Sequence, residues 1–115
     1  MRRNQAGTTT VEFAIVAAVV MTVLFAVIEF GRALFVMNAL TEATRRGARV
    51  ATVCPVNDPS GAAAAVFADG GGRSTIVSGF TTANVVIEYL NQAGAIVADP
   101  QADFGDIRYV RARIV

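Results

Sequence analysis

Residues 7–28 read GTTTVEFAIVAAVVMTVLFAVI, and the reading of this stretch decides the fold. No side chain is charged across residues 13–28, and none is across 4–11, so Glu12 alone interrupts a run long enough to cross a bilayer. The stretch predicts a transmembrane helix with its span at about 10–28. An acid inside such a span is expensive, and residues of this kind usually pair with something and serve a purpose. The partner of Glu12 is therefore the question the rest of the chain must answer.

Composition sets the outer limits. The chain has 115 residues, 54% of them hydrophobic, yet only one segment of membrane length, which predicts one span plus one small domain. A net charge of +1 supplies no basic field for nucleic acid. Every basic residue is arginine, which with abundant Ala, Gly and Val points to a GC-rich coding sequence and a bacterial source. Histidine is absent and Cys54 is the single thiol, so neither an intrachain disulfide nor a His/Cys metal cluster can be assembled. No nucleophile and base pair can be drawn without histidine or lysine, so an enzyme is not expected, nor a small-molecule substrate. Gly70, Gly71 and Gly72 break structure and are no phosphate loop, because the lysine and the strand–helix flanks are missing. No cofactor is implied.

In chain order, residues 1–7 form a polar leader with Arg2 and Arg3, which favours a cytoplasmic N-terminus and an extracytoplasmic C-terminal domain. Arg32, Arg45, Arg46 and Arg49 beyond the span pull against that orientation. A secretory signal would need a small-x-small site after the apolar run, and Phe30-Gly31-Arg32 stands there instead. The run is therefore expected to be retained. After Glu29 the pattern turns amphipathic: Glu42, Arg45, Arg46 and Arg49 share one side, and Ala33, Met37, Leu40, Thr44, Gly47 and Ala51 the other. Glu42 is spaced for pairing with Arg45 and Arg46, and Pro55 closes the helix. One helix over 8–53 is the expectation, roughly 70 Å long at 1.5 Å per residue.

Residues 54–73 read as a turn-rich linker with a short helix at 62–68, stopped by the glycine triplet. The last part, 74–115, reads as β-structure. Strands are predicted at 74–80, at 84–90 and 95–98 around the turn Asn91-Gln92-Ala93-Gly94, and at 107–115. In the last of these Val110, Ala112 and Ile114 face one way and Tyr109, Arg111 and Arg113 the other. Three or four short antiparallel strands with one apolar face need a cover, and the amphipathic half-helix supplies it. The predicted class is α+β: a long N-terminal helix, membrane-spanning in its first half, packed through its second half on a small antiparallel sheet.

Taken together, these residues resemble a known family. Gly7, four residues, then Glu12 and Phe13, preceded by Arg2-Arg3 and followed by the apolar run, resembles the processing signature of type IV-like prepilins. The Glu-Phe variant looks like the tight-adherence (Flp) branch. Ile28-Glu29-Phe30-Gly31-Arg32 and Ala43-Thr44-Arg45-Arg46-Gly47-Ala48-Arg49 are similar to its TadE-like minor pseudopilins. The likeness covers about residues 1–53 and implies a pilin-like fold. It also implies cleavage between Gly7 and Thr8 by a membrane prepilin peptidase, and residence in the bacterial inner membrane. The partners it implies are that peptidase, other pilins and pseudopilins through the N-terminal helix, and membrane lipid. The chain stops within a predicted strand, which reads as an abbreviated domain.

The electrostatics of that signature can be stated without the family. A cut after Gly7 leaves the Thr8 amine as a positive charge at the membrane end of an apolar helix. Between staggered copies, Glu12 of one helix meets the Thr8 amine of the next. Each charge buried alone costs several kcal/mol, so their pairing favours one axial register. Ala14, Ala17 and Ala18 allow close helix approach. The plain alternative is a single-pass anchor carrying an extracytoplasmic binding or assembly domain outside any fibre. Asp99, Asp103 and Asp106 do not fit a calcium loop and read as a solvated turn. Cys54 reads as an unreactive thiol, with bridging between subunits open in an oxidising compartment.

Overall fold

The computed structural model describes residues 5–115, with side chains from Gly7 onward. The first helix, α1, runs unbroken over Gln5–Ala51, 47 residues. Its start is rich in Val and Ile, which are weak helix formers in water. A helix nevertheless satisfies every backbone group within its own segment, and an apolar solvent demands that. The Thr22 hydroxyl obeys the same demand by donating to the Ala18 carbonyl at 2.8 Å. Beyond Ala51 the Cys54 N–H still donates to the Val50 carbonyl at 3.1 Å, and Pro55 follows directly.

The chain divides into two compact units, Met1–Phe35 and Val36–Val115. In the first, bulky side chains such as Phe13, Val19, Leu24, Phe25, Ile28 and Phe30 all stand exposed. α1 is long and apolar enough to cross a membrane, and no residue in its most apolar window is buried within the molecule.

The second unit has its own core. The α1 stripe that enters it is Leu40, Ala43, Gly47 and Ala51, spaced three and four apart. Ala33 and Met37, expected on that stripe, are exposed. The stripe therefore begins at Leu40, inside the second unit.

Helix α2, Ser60–Val66, crosses α1 closely, within the stretch read as a linker. A Cβ on Gly47 would lie 2.9 Å from the Ala65 Cβ and 3.2 Å from the Gly61 carbonyl oxygen. Ala65 and Val66 are buried beside Ala43, Phe80 and Val85. The glycine triplet does not end α2. Phe67 does, in the left-handed conformation at φ 52°, with its N–H donating to Ala64 and that of Ala68 to Ala63. The Arg46 guanidinium sits 4.1 Å over the Phe67 ring. Among the described residues Glu42 forms no ion pair with Arg45 or Arg46, so the expected helix-surface pairing is replaced, for Arg46, by an aromatic contact.

The sheet has two strands, β1 at Val85–Leu90 and β2 at Tyr109–Ile114, paired antiparallel from Val85↔Ile114 to Leu90↔Tyr109. Val85, Ile87 and Ile114 turn toward the helices, as alternation requires. The three or four predicted strands reduce to these two. Residues 95–98 contribute one bridge, Leu90↔Ile96, after a turn in which Asn91 Oδ1 accepts from the Ala93 and Ala95 N–H groups. Residues 74–80 form an irregular loop. The Ser74 hydroxyl there accepts from the Ile76 and Val77 N–H groups, taking donors a ladder would use.

Candidate functional site

The residues singled out for processing and register lie at the start of α1. Gly7 is helical, and a Cβ placed on it would meet nothing within 4 Å, so packing among the described residues does not call for glycine there. Thr8 occupies the next helical position and is exposed. Arg2 and Arg3 of the leader lie outside the described residues. Glu12 is exposed and has no ion-pair partner among the described residues, and Phe13 beside it is 73% exposed. With the helical spacing of four, Thr8 and Glu12 share one face of α1. That face carries one carboxylate in an otherwise uncharged surface from Gly7 to Ile28.

In Val36–Val115 several polar groups hold the fold together. Glu88 is the one charged residue that is buried, at 9% exposure. Arg111 reaches its Oε2 at 2.7 Å and Arg113 its Oε1 at 3.2 Å. Register alone explains the first pair, since Glu88 stands opposite Arg111. Spacing had marked both arginines as outward-facing but had not picked out their shared carboxylate. Asp69 Oδ1 accepts from the Arg73 and Gly71 N–H groups. These two bonds, Arg73 first, hold its carboxyl below the usual carboxylate range. Asp58 is lowered likewise by the Ser60 hydroxyl and N–H at the start of α2. Asp99 accepts from the Gln101 and Ala102 N–H groups, which makes it a turn residue.

A cavity of about 430 Å³ opens beside Cys54, Tyr89, Phe104, Ile107 and Val110. Tyr89 is fixed there by its hydroxyl, which accepts from the Asn57 N–H at 3.1 Å. Cys54 is half-buried on the wall. The lining offers no base and nucleophile pair and, among the described residues, no group of three metal-ligating side chains comes together anywhere.

These features define a class: a small α+β unit on a chain whose N-terminal helix is apolar enough to cross a membrane. Residues 7–49 match the family model of TadE-like proteins, the family that the Gly7, Glu12 and arginine motifs resemble. This N-terminal segment is TadE-like. The match and the apolar helix together support a pilus-associated membrane protein. No curated protein and no solved structure matches the chain.

Proposed function

We propose that this protein is a minor pseudopilin of a tight-adherence type IV-like pilus. A prepilin peptidase cuts it after Gly7, and it packs among other pilins through α1. It is held in the bacterial inner membrane, with its C-terminal unit extracytoplasmic. The observation that carries this reading is the exposed surface of α1 from Gly7 to Ile28, uncharged but for Glu12, inside the TadE-like match. Such a surface needs lipid or other apolar helices around it, and the lone carboxylate needs a cation. The amine released on Thr8 by cleavage is a cation of the right kind, one helical turn away within a chain and reachable between staggered chains. The pair contributes register more than stability, because desolvating both charges offsets most of their attraction.

Cleavage is the test. Expressed with a prepilin peptidase, the chain should lose its first seven residues and begin at Thr8, read by intact mass and N-terminal sequencing. Gly7→Leu should keep the full mass. A wild-type chain that stays uncut in the presence of the active peptidase would refute the reading and leave a single-pass anchor. Glu12→Ala should be cut normally yet fail to enter the fibre, and normal incorporation would remove the register role.

A further inference from the structure

One edge of the small sheet is open. In an antiparallel pair, residues alternate between those that exchange backbone bonds with the partner and those whose groups turn away. The Val115 N–H donates to the Asn84 carbonyl at 2.9 Å. Continued along the register, this phase gives Tyr109, Arg111 and Arg113 to β1 and turns the N–H and C=O groups of Val110, Ala112 and Ile114 outward. The Val97 N–H, which reaches the Tyr89 carbonyl on the far side of β1, keeps the same phase. Among the described residues no backbone hydrogen bond from outside the sheet reaches Val110, Ala112 or Ile114.

The side chains along this edge say what kind of strand would fit. Glu88 serves two guanidinium groups at once, so the three residues leave one net positive charge on the outer face. Arg111 spends Nε and Nη2 on the carboxylate and Arg113 spends Nη2, while their side chains stay 52% and 57% exposed. Each guanidinium has five N–H donors, so most remain for a second acceptor. A second copy of β2 is a poor candidate. Antiparallel pairing of two such edges sets Arg111 against Arg111 or Arg113, and like charges directly opposite are destabilising.

We propose that the open edge of β2 accepts an extended acidic segment of another protein as a third strand. Its backbone pairs with Val110, Ala112 and Ile114. Carboxylates at alternate positions meet Arg111 and Arg113 on the outer face, and small or apolar residues continue the inner face beside Val110 and Ala112. The edge lies wholly within Val36–Val115, so the inference stands apart from the fate of Gly7.

The full-length chain in detergent micelles tests this with a labelled peptide of alternating glutamate and threonine, six residues long like β2. Fluorescence anisotropy should show binding that weakens as salt is raised, with no binding of the lysine–threonine counterpart. Ala112→Pro deletes one outward N–H at an edge position where proline is tolerated, and should weaken binding about tenfold or more. Arg113→Gln keeps Arg111 on Glu88 and should weaken it several-fold with an unchanged circular dichroism spectrum. Equal binding of both peptides, binding indifferent to Ala112→Pro in a folded chain, or no binding by the wild-type chain would each overturn the proposal.

Discussion

Between Val11 and Phe35 helix α1 carries its bulk outward, and between Val36 and Ala51 it gives that bulk up. Val, Ile, Leu and Phe stand exposed along the first part, whereas Ala43, Gly47 and Ala51 are the residues buried along the second. The backbone is helical throughout, so the difference lies in the solvent each part is built for. Where α1 crosses α2, the two helices approach closely and the buried positions of α1 carry small side chains. Where α1 meets no other part of the chain, large apolar side chains are stable only against lipid or foreign helices.

The comparison breaks first at Val66. This side chain is fully buried beneath α1 and the sheet. Val66→Ala should destabilise the second unit by about 2 kcal/mol, from lost transfer energy and a residual cavity. Chemical denaturation of the detergent-solubilised chain measures it. The same change at exposed Val19 should leave that midpoint where it is. Equal losses at both sites would mean that the two parts of the molecule are not stabilised differently.

Glycine sharpens the contrast with one substitution made twice in one helix. Gly47→Ala pushes a methyl to 2.9 Å from the Ala65 Cβ and 3.2 Å from the Gly61 oxygen, and backbone cannot easily yield. A loss of about 1–2 kcal/mol is expected from overpacking. Gly31→Ala meets nothing within 4 Å and, like the change at Val19, falls outside the second unit, so it should leave the unfolding midpoint where it is. A loss at 47 with no loss at 31 in thermal unfolding is the expected result. A shared loss would remove the close crossing of α1 and α2 as the reason for glycine at 47.

The same split governs what was legible in the sequence. The apolar run, the alternation of Val110, Ala112 and Ile114 against Arg111 and Arg113, and the turn at Asn91 and Gly94 were all readable, because each is a local period or a local turn chemistry. Ala65 and Val66 as core residues were not. Seven residues of mostly alanine carry too little periodicity to announce a buried face. The stop at Phe67 was hidden too, since a left-handed aromatic runs against propensity and is tied to Arg46, distant in sequence. Residues 74–80 are β-branched enough to mimic a strand, but the Ser74 hydroxyl captures two of their N–H groups and Gly79 turns at φ 79°. Glu12 was visible at once as an acid in the wrong solvent. The Thr8 amine of a neighbouring copy was named for it from the sequence, and among the described residues of its own chain no ion pair to Glu12 forms.

The smallest expected effect concerns acid, and it touches only the second unit. Asp69 closes the loop after α2 by accepting from the Arg73 and Gly71 N–H groups, and these bonds lower its carboxyl below the ordinary range in the folded chain. A group whose folded pKa lies below its unfolded one binds more protons when unfolded, so stability rises with pH through that window. The contribution of Asp69 is therefore present above the ordinary carboxylate pKa and is lost as pH falls through the lowered one. Asp58, lowered by Ser60, acts in the same direction. Denaturation midpoints followed downward from roughly pH 5 should fall for the wild type and fall less steeply for Asp69→Asn, which has no proton to gain. Because the carboxyl is fully exposed, the slope difference should be slight. An identical slope in both proteins would show that the bonds to the Asp69 carboxylate add nothing to stability.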